Sequence, residues 1–99
     1  ESAYAASKGA VSALARGMAI DLAPKGIRVN SVCPGVVETA LFDAGTVTSE
    51  QLEARRRAYP LRRFGRPEEI AWAIVYLLSD ASAWMTGTDL KIDGGLTLI

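Results

Sequence analysis

Histidine is missing altogether from this 99-residue sequence, and cysteine occurs once, as Cys33. The first absence removes the commonest neutral-pH base and the commonest metal ligand. It excludes a Ser-His-Asp triad, a Cys-His pair and an HExxH zinc site within the chain. The second excludes an internal disulfide framework and most thiolate metal sites. Neither sign of charge is in excess, with 11 Lys and Arg against 11 Asp and Glu. Such a chain has no global attraction to nucleic acid or to anionic lipid, so neither is expected as a partner. Long apolar runs are also lacking. Stretches such as Ile70 to Leu78 fall far short of the ~20 residues that span a bilayer. No basic-then-apolar leader opens the sequence, so no signal peptide is expected and a cytoplasmic location is the default. Acid–base chemistry is left to Tyr, Lys, Asp and Glu.

What is present is the mix of a soluble globular protein, 49% hydrophobic and 22% charged, at a length that allows one domain at most. From about Ala3 to Ala23, Val11, Leu14, Met18 and Leu22 recur at helical steps. A second row of mostly small residues, Ala6, Ala10, Ala13, Gly17 and Ile20, implies a helix buried on two sides. Pro24-Lys25-Gly26 ends it. Ile27 to Cys33 reads as a strand stopped by Pro34-Gly35. Thr48 and Gln51 have capping-box spacing before a helix of about Ser49 to Ala58, whose Arg55-Arg56-Arg57 run reads as a solvated face. Pro67, Glu68 and Glu69 suit the start of a further helix with Ile70, Ala71, Ile74, Val75 and Leu78 on its apolar face. Asp80 to Trp84 reads as a linker, Thr88 to Ile92 as a second strand, and Asp93-Gly94-Gly95 as its closing turn rather than a metal loop.

Helix, strand, long excursion, helix, strand is a piece of an α/β fold with a parallel sheet. The first strand is apolar almost throughout, as in a sheet covered on both faces, and two parallel strands call for more neighbours than this sequence contains. Trp72 and Tyr76 are expected in a core or interface. Trp84 and Met85 are expected against the last strand, and Cys33 is expected as a buried small apolar residue.

One pair carries chemistry. Tyr4 and Lys8 in Tyr4-Ala5-Ala6-Ser7-Lys8 stand at i and i+4, on one helical face. A free phenol has a pKa near ~10, and a nearby ammonium favours the phenolate. A drop of about 3 units would correspond to roughly 4 kcal/mol and would let Tyr4 exchange a proton with a substrate oxygen. As bare spacing, the pair also fits surface decoration.

The surroundings of that pair are more specific. Tyr4 to Val11, Gly26-Ile27-Arg28-Val29-Asn30-Ser31-Val32-Cys33-Pro34-Gly35, Gly65-Arg66-Pro67-Glu68-Glu69-Ile70-Ala71, Leu77 to Ser82, Thr86-Gly87 and Ile92-Asp93-Gly94-Gly95 follow in the order and at the spacing of the short-chain dehydrogenases/reductases. The resemblance runs from Ser2 to about Thr97. It implies the C-terminal portion of a Rossmann-like doubly wound parallel sheet, residues 1–99 forming the C-terminal segment of such a domain. It also implies NAD(P)-dependent hydride transfer between nicotinamide and a carbonyl or alcohol. Tyr4 then matches the general acid/base. Lys8 matches the residue that lowers its pKa and binds the nicotinamide ribose. Pro34, Gly35 and Val37 match the turn beside the nicotinamide, with the Val37 backbone on its carboxamide. Thr39 matches a hydroxyl that contacts the cofactor. Asn30 reads as structural, and Glu38 to about Arg63 as the substrate lid.

The family's Gly-rich phosphate turn, its catalytic Ser and its further catalytic Asn have no counterpart here, which is the basis for reading the chain as truncated. Two expectations follow. The parent is an oxidoreductase using NAD or NADP on a small carbonyl or alcohol. The 99-residue chain alone binds neither cofactor, is not an enzyme, and acts only as a self-associating packing module. Either way a homo-oligomer formed through the first helix is expected, with the open edge of the first strand as a further contact.

Overall fold

The computed structural model describes residues 2–38 and 47–98. In chain order the elements are α1 (Ser2–Leu22), a 3-10 turn (Ala23–Lys25), β1 (Ser31–Pro34), α2 (Ser49–Arg57), α3 (Pro67–Leu78), a 3-10 turn (Asp80–Ser82), β2 (Asp89–Ile92) and a 3-10 turn (Leu96–Leu98). β1 and β2 form a two-stranded sheet. The Ser31 N–H donates to the Thr88 carbonyl and the Gly35 N–H to the Ile92 carbonyl, each at 2.9 Å. Both positions advance together, so the strands are parallel. The order of elements is the expected partial α/β, Rossmann-like one. The chain folds as two compact units, Glu1–Val32 with Tyr76–Leu90, and Cys33–Val75 with Lys91–Ile99.

In the first unit, α1 ends as its sequence requires. Pro24 opens the 3-10 turn and Gly26 takes a left-handed φ of 74°, a conformation that costs a residue with a Cβ. The Ile27 N–H then reaches back to the Leu22 carbonyl at 3.3 Å. Burial differs from expectation. Ala19 is the buried residue of α1, beside Gly87, whereas Val11, Leu14 and Met18 are exposed. Both stripes are apolar, but the described residues supply a neighbour for one short stretch only.

The strand expected over Ile27 to Cys33 is shorter and displaced, because its first half is paired by side chains. The Val29 N–H donates to Thr86 Oγ1 at 3.1 Å. The Asn30 amide donates to the Met85 carbonyl at 3.1 Å and its oxygen accepts from the Thr88 N–H at 3.0 Å. Asn30 is thus the structural residue expected. Ladder pairing starts only at Ser31, whose hydroxyl donates to Asp89.

Arg28 is the hub of this unit. One guanidinium nitrogen donates to the Ser82 carbonyl at 2.9 Å, Ser82 Oγ at 3.1 Å and the Met85 carbonyl at 3.1 Å. The other donates to the carbonyls of Leu77 at 2.9 Å and Ser79 at 3.2 Å. The Leu77 and Ser79 carbonyls, at the end of α3, are shared with Ser82 Oγ at 3.0 and 3.1 Å, and the other acceptors follow the helix. Along α3, Leu77 is the buried residue, one position away from the apolar face drawn from spacing. Ile74, Val75 and Leu78 are exposed, as are Trp72, Tyr76 and Trp84, the last at 99%. Among the described residues, then, Trp72 and Tyr76 take no core position and Trp84 is not packed against the last strand.

In the second unit, Tyr59 and Phe64 form the core, with rings edge to face at 5.8 Å between centroids. The capping box of α2 is present in both directions. Gln51 N–H donates to Thr48 Oγ1 at 3.1 Å, and Thr48 N–H to Gln51 Oε1 at 2.9 Å. Arg56 and Arg57 reach Glu53 at 3.6 and 3.7 Å, and Arg57 is largely solvated, in keeping with a surface face.

The fork of Arg28 should be irreplaceable by a single ammonium. Arg28→Lys is expected to lower stability by roughly 1.5–3 kcal/mol, the scale of hydrogen bonds to a charged group. A urea titration with an unchanged midpoint would show that the hub contributes nothing.

Candidate active site

The first turns of α1 place Tyr4 and Lys8 on one face. The Lys8 ammonium lies 5.0 Å from the Tyr4 ring centroid, within cation–π range. Tyr4 is 63% exposed, so the pair is open to a ligand. Tyr4 and Lys8 belong to the first unit, while Pro34, Gly35 and Val37 belong to the second. Thr39 lies outside the described residues, as does most of the first part of the expected lid.

The turn after β1 is held at four points. The Gly35 N–H donates to the Ile92 carbonyl at 2.9 Å. The Val36 carbonyl accepts from the Gly65 N–H at 3.0 Å, and the Glu38 N–H donates to the Gly65 carbonyl at 2.9 Å. The Val36 N–H donates to the Tyr59 hydroxyl at 3.0 Å. Val37 forms a parallel bridge with Gly65, in which its flanking residues make the hydrogen bonds. Successive residues of extended backbone turn their polar groups to opposite sides. The N–H and C=O of Val37 are therefore directed away from Gly65, and among the described residues they have no hydrogen-bond partner. A backbone donor and acceptor presented together match a primary carboxamide, which offers one of each.

Gly35 is dictated by close approach. A Cβ there would sit 3.1 Å from Asp93 Cα and 3.2 Å from Tyr59 Cε1. Asp93 closes the turn after β2, accepting from the Gly95 N–H at 3.0 Å and the Thr97 N–H at 3.2 Å. Its hydrogen bonds, that to the Thr97 side chain foremost, hold its carboxyl below the usual carboxylate range. This is turn chemistry, as expected. Among the described residues no group of three His, Cys, Asp or Glu could hold a metal ion, and no helix is long and apolar enough to cross a membrane. Cys33 is half-buried rather than fully enclosed.

A family model described as enoyl-(acyl carrier protein) reductase matches residues 1–97. A crystal structure of a short chain dehydrogenase family protein from Francisella tularensis superposes with a TM-score of 0.88 at 40% identity, over 98% of this chain and 44% of that one. The chain belongs to the short-chain dehydrogenase/reductase family. Two curated relatives come from Xanthobacter autotrophicus. 2-(S)-hydroxypropyl-CoM dehydrogenase 3 is 48% identical over 98% of this chain and 40% of its own length. Inactive 2-(S)-hydroxypropyl-CoM dehydrogenase 2 is also 48% identical, over 98% of this chain and 44% of its own length. The chain thus spans about two-fifths of these short-chain dehydrogenase/reductase relatives.

Two residues of the second unit have no individual site role in the sequence reading, which places Tyr59 only within the expected lid and Glu69 only within a motif of the resemblance. Tyr59 lies outside every motif that carried the resemblance, and only the structure brings its hydroxyl to the turn. The carboxylate of Glu69, adjacent to Pro67-Glu68, was read as a helix-dipole partner. It also takes both arms of Arg63, at 2.6 and 2.7 Å, and the Arg66 N–H at 2.8 Å. The bidentate Arg63 contact, then the Arg66 N–H, lowers its pKa from 4.5 to about 2.

A carboxylate whose folded pKa lies below its unfolded value stabilises the fold above the unfolded pKa and loses that contribution on acidification. The Glu69 contribution should be complete above pH 4.5 and disappear toward about pH 2. In urea titrations the midpoint difference between wild type and Glu69→Gln should shrink across that window. A difference that stays constant from neutral pH to pH 2 would contradict the assignment.

Proposed function

We propose that the protein carrying this chain is an oxidoreductase that moves a hydride between NAD or NADP and a small carbonyl or alcohol. Two features, each within its own unit, carry the reading. One is an exposed phenol with an ammonium 5.0 Å from its ring. The other is a turn in which Val37 presents a donor and an acceptor at once. Membership of the family, and relatives that include a dehydrogenase at 48% identity, support it.

The nicotinamide, when bound, supplies or accepts the hydride. The residues of this chain do the rest. The Tyr4 hydroxyl gives a proton to the carbonyl oxygen in reduction and takes it back in alcohol oxidation. The Lys8 ammonium stabilises negative charge developing on that phenol oxygen, and an ammonium is a donor that suits ribose hydroxyls. The Val37 N–H and C=O suit the carboxamide, which fixes one face of the ring toward the substrate. Thr39 is assigned by the same reading to the cofactor. No metal is needed to polarise the carbonyl in this scheme, because the phenol proton does so.

In the complete gene product, Tyr4→Phe should lower kcat by about 10²–10⁴-fold, with cofactor affinity changed by less than about threefold. Absorbance of the reduced cofactor follows the rate, and near-wild-type turnover would remove Tyr4 from its role.

The exposed Val11, Leu14, Ile20, Trp72, Val75 and Leu78 favour a second reading for the 99-residue chain by itself, a non-catalytic self-associating module. Titrated with NADH or NADPH, the isolated chain should bind more weakly than about 100 μM, or roughly 5.5 kcal/mol. Tighter binding would overturn this reading.

A further inference from the structure

We propose that Tyr59 is a positioning residue for the nicotinamide, acting through the backbone of the turn after β1. The proposal rests on the reading of Val37 given above and extends it to a side chain that never meets the ligand. Tyr59 is 5% exposed, yet its hydroxyl is not spent on core packing. It accepts the Val36 N–H at 3.0 Å.

The bond fixes the orientation of one peptide plane, the one between Gly35 and Val36. With the Val36 carbonyl held by the Gly65 N–H at 3.0 Å, both polar groups of Val36 are tied down. The Val37 N–H shares a peptide with that carbonyl and the Val37 C=O shares one with the Glu38 N–H, which Gly65 also holds at 2.9 Å, and Tyr59 braces the peptide from which these two planes continue. Tyr59 itself has little freedom. Its ring is wedged edge to face on Phe64, its carbonyl accepts from the Arg62 N–H at 2.8 Å, and its N–H donates to the Arg56 carbonyl at 3.1 Å. The same ring closes on Gly35, where a Cβ would lie 3.2 Å from Tyr59 Cε1. Tyr59 is thus the one side chain among the four hydrogen-bond holds on the turn, and it meets the turn at both Gly35 and Val36.

A cavity of about 100 Å³ beside Tyr59, Val36 and Ile92 sets the expected size of the effect. A water entering it can take part of the load when the hydroxyl is removed. Losing this one bond should thus loosen the turn without unfolding the unit.

The test uses the complete gene product and two ligands, NAD(P)H and the matching ADP-ribose, which lacks the nicotinamide. Tyr59→Phe keeps the ring and removes the hydroxyl. It should raise the Kd for NAD(P)H by roughly three- to tenfold, the range of one hydrogen bond, and leave that for ADP-ribose unchanged. The cofactor KM should rise in step while kcat at saturating cofactor stays within about twofold, opposite to Tyr4→Phe. Replacing the Val36 amide by an ester removes the donor from the other side and should reproduce the selective loss, which keeps the test decisive should Tyr59→Phe fold poorly. Equal weakening of both ligands, or of neither, overturns the proposal. A wild-type protein that binds ADP-ribose as tightly as NAD(P)H overturns the carboxamide reading of Val37 itself, and the role of Tyr59 falls with it.

Discussion

Parallel pairing of β1 with β2 is the constraint on which the second unit and its turn depend. Parallel strands cannot be joined by a hairpin, so a long crossover separates them, here everything from Gly35 to Thr88. Parallel strands also end at the same side of the sheet. The Pro34-Gly35 turn and the Asp93-Gly94-Gly95 turn meet there, so closely that a Cβ at Gly35 would sit 3.1 Å from Asp93 Cα. Ligand sites in open α/β sheets lie at such carboxyl ends. The crossover returns Gly65 and Tyr59 to that place, and Tyr59 connects core packing to the turn that carries a backbone donor and acceptor.

The first unit solves a different problem. The chain leaving α3 gathers several carbonyls in one place, where leaving even one part-buried acceptor unpaired is costly, and Ser82 Oγ meets those of Tyr76, Leu77 and Ser79. Arg28 answers with a planar fork that reaches five acceptors. Asn30 does the same on a smaller scale, substituting for a stretch of ladder. Polar side chains here do the work that further strands do in a larger sheet. The apolar residues have no such substitute. Val11, Leu14, Trp72 and Leu78 stay in solvent, far more apolar surface than an isolated chain of this size normally shows.

The chemistry proposed for Tyr4 and Lys8 uses no histidine and no metal. In that proposal a phenol takes the part of acid and base, and helical periodicity alone guarantees that it shares a face with an ammonium one turn away. The turn at Val37 has the opposite character. Its value lies in backbone groups, which every residue possesses, and so depends wholly on what holds the neighbouring peptides.

Local signals determined much. Pro24 and Gly26 end α1, Thr48 and Gln51 cap α2, and Pro67 with Glu69 opens α3, because these effects act within a turn or two of chain. The Tyr4–Lys8 pair was legible for the same reason. Long-range partners were not. The strand expected from Ile27 begins at Ser31, since Thr86 and Asn30 supply side-chain bonds that β-propensity does not register. Leu77, not the neighbouring apolar positions, is buried in α3, since burial depends on which elements reach it. The Tyr59 hydroxyl lies 23 residues along the chain from the peptide it orients. A hydrogen bond over that separation exists only once the crossover has folded, so sequence decided which residues could do the chemistry, and tertiary structure decided which backbone groups they would hold in place.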